Sequence, residues 1–236
     1  MNDGIRALDP QDPRDLEAVA KMHTALLPGS PVCQLGAEFM QRFYYRKLVE
    51  DGLIHCDLYI NEGTPVGFIA YTEIPSRFMS EGLRRHGLYL AGIMILSLLR
   101  HPSRIVAVLR TLRIMSRRTR KTEGAQEGEM LSLGVLPQFR SPDFTRRTGT
   151  RISSALFENA RGYFRNRGVA EIYLLVEAEN KPAMMLYKAM GGRFEQDAAS
   201  KGKSLRVTYS SADRRDYAAA PEKRHADALS STSLNK

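Results

Sequence analysis

The sequence has 236 residues, 43% apolar and 26% charged, which is the balance of a globular chain able to bury its own core. Its two cysteines, Cys33 and Cys56, lack metal-ligand spacing, so we expect neither a disulfide framework nor a metal site. The N-terminus has no apolar signal segment, and the longest uncharged apolar run, Leu88 to Leu99, is too short to span a bilayer; we expect a cytoplasmic protein.

The positive charge is confined to one part of the chain. The formal net charge is +9, and the segment from Arg77 to Lys121 contains eleven Lys or Arg residues and a single acid, Glu81. The rest of the chain therefore sums to −1, so the excess charge calls for a local explanation.

The first half of the chain predicts a strand, two helices and a pair of strands. Asp12-Pro13 is a typical helix start, Pro28-Gly29 ends the first helix, and Asn61 to Thr64 has the composition of a hairpin turn. The predicted ranges are Ile5 to Leu8, a helix that begins at Asp12-Pro13 and stops before Pro28, and then Gly36 to Val49, Leu53 to Ile60 and Pro65 to Ile74.

The basic segment predicts two helices, Leu83 to Leu99 and Arg104 to Arg118, interrupted at His101-Pro102. In the second helix Arg110, Arg113 and Arg117 share a face, opposite an apolar stripe.

The second half predicts strand, helix, strand, helix and two strands. The ranges are Met130 to Val135, Thr150 to Asn166, Ala170 to Val176, Lys181 to Met190, Arg193 to Glu195 and Ser204 to Tyr209. From Ser210 onward the composition is typical of a disordered tail. The element order predicts an α/β or α+β layered sheet with helices on both faces.

The most informative stretch begins with Leu131 to Arg140 and continues with Arg146-Arg-Thr-Gly-Thr-Arg151. A strand ends there, a loop rich in Arg, Thr and Gly follows, and a helix begins. Backbone N–H groups at the positive end of a helix suit a pyrophosphate. A plain turn before a helix remains the alternative.

Two motifs together resemble the GNAT superfamily of acyltransferases. Arg146-x-x-Gly149-x-Arg151 is similar to that family's pattern Gln/Arg-x-x-Gly-x-Gly/Ala, and Asn180-x-x-Ala183-x-x-x-Tyr187 is similar to its second motif. The sequence departs from the pattern at Arg151, where Gly or Ala is usual, and in Ser141 to Thr145, which is extra sequence in the loop.

The resemblance implies a mixed, mostly antiparallel central sheet over residues 1–209. The basic two-helix insert of residues 77–121 falls between its third and fourth strands, and residues 210–236 are the tail. It implies acetyl-CoA or another acyl-CoA as co-substrate, with the pantetheine arm along Leu131 to Val135 where two strands splay apart. The implied CoA-binding residues are Leu133, Gly134, Val135, Arg140, Arg146, Arg147, Thr148, Gly149, Thr150, Arg151, Asn180, Ala183 and Tyr187.

The resemblance also implies catalytic roles, each with a simpler alternative. Tyr187 would protonate the leaving thiolate, or be a half-buried core aromatic; Asn180 would orient the CoA arm or cap the next helix. An amine acceptor needs a base, for which Glu73 and Glu129 are candidates unless they are solvated strand-end acids. His55 is expected to be structural, with a base role as the alternative.

The expected activity is N-acetylation of a small or carrier-linked amine such as an amino sugar. The alternatives are O-acylation, a longer acyl donor, or a CoA-binding regulatory module without turnover. The insert resembles inserts in GNAT-like proteins that accompany bacterial surface-polysaccharide genes.

Three explanations for the insert stay open. In the first, its arginines form a solvated face and its apolar residues form a core or homodimer interface. In the second, the arginines bind an anionic acceptor. In the third, they bind an anionic membrane surface, which would place the protein at the inner face of the membrane. Nucleic acid is not expected, because interleaved aromatic residues are missing.

Overall fold

The computed structural model describes residues 3–100, 127–197, 200 and 202–212. The described strands are β1 (Gly4–Ala7), β2 (His55–Asn61), β3 (Thr64–Thr72), β4 (Glu127–Val135), β5 (Glu171–Glu177), β6 (Arg193–Gln196) and β7 (Ser204–Ser210). The described helices are α1 (Pro13–Leu26), α2 (Pro31–Gln34), a π-helical segment (Phe39–Lys47), α3 (Leu48–Glu50), α4 (Phe78–Arg100), α5 (Pro142–Thr148), α6 (Ile152–Asn166) and α7 (Lys181–Ala189), with a 3₁₀ turn at Pro137–Phe139.

The described strands form one seven-stranded sheet in the order β1-β2-β3-β4-β5-β7-β6. Neighbouring strands are antiparallel except β4 and β5, which are parallel and are connected through α5 and α6. The predicted mixed, mostly antiparallel sheet is thus confirmed, and the insert begins between the third and fourth strands as predicted.

Helices cover both faces of the sheet. On one face α1, the π-helical segment and α4 pack over β2 and β3, around buried residues such as Phe43 and Phe68. On the other face α6 packs over β3, β4 and β5, around residues such as Phe157 and Phe164. The sheet therefore separates two cores, which we call the α1 face and the α6 face.

Several predicted boundaries have visible physical causes. Asp12 caps α1 by accepting a hydrogen bond from the Arg14 backbone, and Pro13 occupies the first helical position. The hairpin turn places Glu62 and Gly63 at positive φ, as a two-residue turn between β2 and β3 requires. Both cysteines are free thiols.

The structure corrects four predicted details. Residues 39–47 are π-helical rather than α-helical, and Phe39, Phe43 and Leu48 are all buried. Ser30-Pro31 starts the short helix α2, and Ser141-Pro142 starts α5, where extra loop was expected; each serine caps its helix. The next helix begins at Ile152 rather than Thr150, because Gly149 ends α5 in the left-handed conformation and Arg151 is still extended.

The described part of the insert is α4, which begins at Phe78 and is kinked at His86. It packs closely on the α1 face: a Cβ on Gly82 would lie 2.3 Å from Leu48. His86 Nε2 lies 2.9 Å from Asp51 Oδ2, which ties the kink to the chain after α3. The predicted helix from Arg104 to Arg118 and the tail from residue 213 lie outside the described residues.

No helix in the described ranges is long and apolar enough to cross a membrane.

Candidate active site

Strands β4 and β5 are paired over only part of their length. The parallel pairing runs from Glu127 opposite Glu171 to Met130 opposite Leu174. Beyond that point β4 continues to Val135 beside β3, and β5 continues to Glu177 beside β7, without pairing to each other. The two strands therefore part in the middle of the sheet and expose facing backbone edges, which is the arrangement that the resemblance implied.

A β-bulge lies where the strands part. Ala70 is opposite Ser132 and Tyr71 is opposite Met130, so Leu131 is the extra residue on β4. A bulge bends its strand and redirects the adjacent side chains and amides. The edge of β4 that is not paired with β3 faces the gap between β4 and β5 over residues 131–135.

The side chains of the predicted CoA-binding strand serve packing. A Cβ on Gly134 would lie 2.7 Å from Phe68 and 2.9 Å from Leu26, so glycine lets α1 approach β4 closely. Val135 is buried, and Leu133 is half-buried against the α6-face core. Any contact of these residues with a ligand in the gap would therefore come from their backbone.

The N-terminus of α6 lies after β4 and has no side-chain cap. Gly149 N already donates to Thr145 O at 2.8 Å, and Thr150 N donates to Thr148 Oγ1 at 3.3 Å. The amides left for an anion are those of the first turn of α6, residues 152–154, which have no intrahelical acceptor. The positive end of a fifteen-residue helix favours negative charge there.

Exposed arginines surround this helix end. Among the described residues, no ion-pair partner is found for Arg140, Arg147 or Arg151, whereas Arg146 is paired with Asp143. The Arg147 guanidinium lies 5.8 Å from the centre of the Phe144 ring, which orients it on α5. Arg151 thus adds a cation where the motif usually has a small residue.

The second motif forms the start and the body of α7. Asn180 caps this helix, with Oδ1 accepting a hydrogen bond from Ala183 N at 3.2 Å, so the capping role expected for it is observed. Ala183 is half-buried against the α6-face core. Asn180 is exposed, which leaves its amide NH₂ group accessible.

Tyr187 lies between the core and the surface on α7. Its ring centre is 6.4 Å from that of Phe157 on α6, and its carbonyl accepts a hydrogen bond from the Tyr209 hydroxyl at 3.1 Å. Burial raises the pKa of the Tyr187 phenol to about 12, so it is protonated at neutral pH. None of the described residues forms a hydrogen bond to its hydroxyl.

The two predicted base candidates occupy different faces of the sheet. Glu129 is 4% exposed and lies on the α1 face, because the preceding residue, Gly128, faces Phe164 of α6. Its Oε2 accepts a hydrogen bond from the Tyr173 hydroxyl at 3.0 Å. Glu129 is one residue before the last β4–β5 pair, so its carboxylate is next to the gap.

Glu73 lies at the end of β3 and faces the C-terminal end of α6. It accepts hydrogen bonds from Arg167 at 2.9 Å and from the Tyr163 hydroxyl at 3.0 Å. The hydrogen bonds from Arg167 hold the pKa of the Glu73 carboxyl below its usual value. The structure therefore places Glu129 beside the gap and engages Glu73 in an ion pair at the other end of α6.

A row of polar groups beside Glu129 was missed by the sequence analysis. The Arg206 guanidinium lies 3.6 Å from the centre of the Tyr173 ring and also pairs with Glu127 at 2.8 Å. These residues come from β4, β5 and β7, and only the strand register brings them together. The strand pattern of alternating side chains could indicate their faces but not their neighbours.

A second missed feature is a buried polar group of α1. His23 is 1% exposed; its Nδ1 lies 2.6 Å from the Tyr45 hydroxyl and its Nε2 lies 2.9 Å from Ser30 Oγ. Burial lowers the pKa of His23 to about 4. The Ser132 hydroxyl, at the bulge, is buried beside Tyr45.

The loop after α1 spans the gap on the α1 face. A Cβ on Gly29 would lie 3.5 Å from Glu177 Oε1, at the end of β5, while Leu26 contacts β4 at Gly134. The gap is thus bounded by the α6 N-terminus on one face and by the α1–α2 loop and Glu129 on the other. A ligand with a long, narrow arm could enter from the α6 face and meet a second molecule on the α1 face.

Comparison with known proteins bears on the fold. No protein-family model and no curated protein matches the sequence. Among solved structures, the PaiA N-acetyltransferase from Thermoplasma acidophilum in complex with coenzyme A is 14% identical and matches 89% of this chain and 99% of its own, with a TM-score of 0.50. NAA60 from Arabidopsis thaliana in complex with acetyl-CoA is 20% identical and matches 87% of this chain and 97% of its own, with a TM-score of 0.52. A protein of the GNAT family from Desulfovibrio desulfuricans is 13% identical, with 89% and 100% matched and a TM-score of 0.50. The chain thus shares the fold of the GNAT acetyltransferases.

Proposed function

We propose that this chain, which has the GNAT fold, is an acyl-CoA-dependent acyltransferase that N-acetylates a small or carrier-linked amine such as an amino sugar. The observation that carries the proposal is the parting of β4 and β5 beside the uncapped N-terminus of α6. The gap suits an extended arm, and the helix end suits the diphosphate at the far end of that arm.

The residues around the gap fit acyl-CoA in their chemistry. The first-turn amides of α6, together with Arg147 and Arg151, for which the described part of the chain holds no ion-pair partner, supply donors and positive charge for phosphates. The unpaired backbone edge of residues 131–135 supplies alternating donors and acceptors for the amides of a pantetheine arm. Both solved relatives described with coenzyme A or acetyl-CoA share this fold, which supports the same donor here.

In the proposed reaction the chain supplies a hydrogen-bond donor for the carbonyl oxygen, a base and an acid. Acyl-CoA supplies an acyl group activated as a thioester. The amine nitrogen attacks the thioester carbonyl carbon, and a β4 N–H near the bulge stabilises the negative charge that develops on the oxygen. As the nitrogen bonds to carbon it must lose a proton, which Glu129 accepts on the α1 face. The carbon–sulfur bond breaks, and the Tyr187 hydroxyl gives its proton to the departing thiolate.

The placement of the two groups supports their division of roles. Glu129 is next to the gap on the α1 face, and Tyr187 is on the α6 face with a protonated, unengaged hydroxyl. An acid and a base on opposite sides of the reacting bond avoid neutralising each other. Glu73, with its lowered pKa and its ion pair with Arg167, is the poorer base.

The nature of the acceptor separates the proposal from its alternatives. An O-acyltransferase would acylate a hydroxyl, and a regulatory module would bind acyl-CoA without turnover. The carboxylates Glu129 and Glu177 that border the α1 side of the gap favour a cationic amine over a neutral hydroxyl compound. The basic insert would bind an anionic part of the acceptor, such as a phosphorylated carrier.

The test is a transfer assay with matched acceptors. The full-length protein is incubated with acetyl-CoA and either glucosamine or glucose, then with a panel of other amines and their hydroxyl counterparts, and free thiol and acetylated product are measured together. Thiol release with amines alone, with a matching N-acetyl product, is the expected result. Equal release with hydroxyl counterparts would favour O-acylation. Binding of acetyl-CoA without release for any acceptor would favour the regulatory module.

A further inference from the structure

A cavity of about 570 Å³ lies away from the gap, between the outer strands of the sheet and the C-terminal half of α6. β3 separates this cavity from the β4–β5 gap, and α6, about 20 Å long, has its N-terminus at the other end. The volume is within the range typical of small-molecule sites. None of the residues to which the proposed acyl transfer assigns a role lines it.

The more buried of the two carboxylates in the cavity wall is that of Asp57 on β2, which is 7% exposed. The Tyr71 hydroxyl and the Asn159 amide each donate a hydrogen bond of 2.9 Å to its Oδ2. Neither reaches Oδ1, and no other hydrogen bond to Asp57 is found among the described residues. One oxygen of a buried carboxylate is thus held in place while the other lacks a protein donor.

Aromatic rings form much of the wall around this carboxylate. The ring centres of Tyr163 and His55 are 4.5 Å apart, and that of Tyr71 lies 5.2 Å from Tyr163. Since the Tyr163 hydroxyl donates to Glu73 at 3.0 Å, its oxygen accepts the 2.7 Å hydrogen bond from His55 Nε2–H. This arrangement fixes the rings, and burial lowers the pKa of His55, so the imidazole stays neutral at neutral pH.

The charge of the lining is negative. Its acidic residues are Asp57 and Glu158, and no Lys or Arg belongs to the lining. Glu158 forms an ion pair with Arg161 at 2.8 Å. No ion pair to Asp57, the other acidic residue of the lining, is found among the described residues. Within the described ranges no cluster of three or more metal-ligating side chains occurs, so the lining does not have the ligand set of a metal site.

We propose that this cavity is a second binding site, which takes a small organic ammonium ion. The ammonium group would donate to Asp57 Oδ1 and lie against the faces of Tyr71 and Tyr163, which attract cations. A neutral molecule would leave the buried carboxylate without a counter-charge, and an anion would be repelled by it. The site is independent of acyl-CoA, so it stands or falls separately from the proposed transferase activity.

The experiment measures binding of 1,6-diaminohexane to the full-length protein by calorimetry, in the absence of acyl-CoA. Hexane-1,6-diol and adipate are the matched neutral and anionic probes. The diamine is expected to bind at least about tenfold more tightly than either probe. Equal binding of diamine and diol would overturn the proposal.

Variants locate the binding. Asp57→Asn keeps the acceptor for Tyr71 and Asn159 but removes the charge, and is expected to weaken diamine binding at least about tenfold. Gly162→Leu fills the cavity from α6 and is expected to lose diamine binding. A Cβ added at Gly162 would lie 3.7 Å from the Arg165 side chain, so this variant is expected to fold. It therefore tests the proposal even if Asp57→Asn does not fold. Gly87→Leu, which adds the same side chain in open space on α4, is its control and should bind normally.

A last variant separates the cavity from the proposed acceptor site. Glu129→Gln removes the carboxylate of the proposed acceptor site and is expected to keep the diamine binding that Asp57→Asn and Gly162→Leu lose, because Glu129 is on the other face of the sheet. Loss of binding in Glu129→Gln with retention in Asp57→Asn or in Gly162→Leu would place the diamine in the β4–β5 gap and refute the second site.

Discussion

The hydroxyl of Tyr173 on β5 donates a 3.0 Å hydrogen bond to Oε2 of Glu129 on β4, directly across the strand pair and one residue before the strands part. This contact fixes a buried carboxylate at the narrow end of the gap. It joins the two strands whose separation would admit the acyl donor, so the proposed base is anchored to both walls of the site.

Glu129→Gln should lower kcat for amine acetylation by about a hundredfold or more, because general base catalysis contributes that much in typical enzymes. Acetyl-CoA affinity should change little, since the carboxylate lies on the acceptor face. The measurement is steady-state kinetics with the best amine from the acceptor panel.

Glu73→Gln is the matched control for this change. It removes the same charge from an acid that is paired with Arg167 at the far end of α6, so kcat should stay within about threefold of the unchanged protein. A large loss in Glu73→Gln with normal turnover in Glu129→Gln would reverse the assignment of the base.

Tyr187→Phe should lower kcat by about ten- to a thousandfold while the affinity for acetyl-CoA is nearly unchanged. The phenol has no described hydrogen-bond partner, so its removal costs little stability, and its pKa of about 12 keeps it protonated across the assay range. Pre-steady-state kinetics of thiol release would measure the step. Unchanged turnover would make Tyr187 a packing residue and direct the search for the acid elsewhere.

Acid should destabilise the fold through His23. The pKa of His23 is about 4 in the folded protein and 6.5 for the free side chain. Between these two pH values the unfolded chain therefore binds a proton at His23 that the folded chain does not bind. Stability is therefore lost as pH falls from 6.5 to about 4, by about 3 kcal/mol in total. Urea unfolding at pH 7 and pH 4.5 would measure the loss.

Two histidine variants test that origin. His23→Gln cannot take up the proton, so the stability that remains should depend less on pH over this window. His86→Gln, in which the replaced histidine is partly exposed and bonded to Asp51, should keep the pH dependence of the original protein. An undiminished acid effect in His23→Gln would show that other groups cause it.

The arginines of the second half of the insert remain a prediction from charge alone. Replacing Arg110, Arg113 and Arg117 with Ser should release the protein from vesicles of anionic lipid, at about 1 kcal/mol per residue, if the partner is a membrane surface. If the partner is an anionic acceptor, the triple variant should instead raise KM for that acceptor and leave KM for acetyl-CoA unchanged. Sedimentation with anionic and neutral vesicles at several salt concentrations, together with kinetics, measures both. No change in either would favour a solvated face.

The strands and the major helices of the described chain could be predicted because their signals are local. Asp12-Pro13 is a local helix-start signal, and the turn at Glu62-Gly63 depends on positive φ angles that few residues adopt. The candidate site could be proposed where consecutive residues form it, as at residues 131–135 and in the segment before α6, because the resemblance rests on those residues.

The rest depends on contacts between distant residues. Tyr173 reaches Glu129 and Arg206 only through the register of three strands, and Asp57 meets Asn159 of α6 across 102 positions in the chain. Periodicity assigns such side chains to a face of the sheet but cannot say which partner faces them or how large a cavity they enclose. The π-helical turn at residues 39–47 was likewise missed, because its buried aromatics also fit an α-helical spacing.

Binding of acetyl-CoA to the purified full-length protein, followed by thermal unfolding and calorimetry, tests the central claim most directly. Ligand at about one hundred times its Kd should stabilise the fold by about 2.7 kcal/mol, which raises the Tm by several degrees. The double variant Arg147→Ser, Arg151→Ser should weaken binding about tenfold through lost phosphate contacts, whereas Arg165→Ser, at the other end of α6, should bind normally. No shift in Tm at millimolar acetyl-CoA, or equal affinity in the double variant and its control, would contradict an acyl-CoA site between β4 and β5.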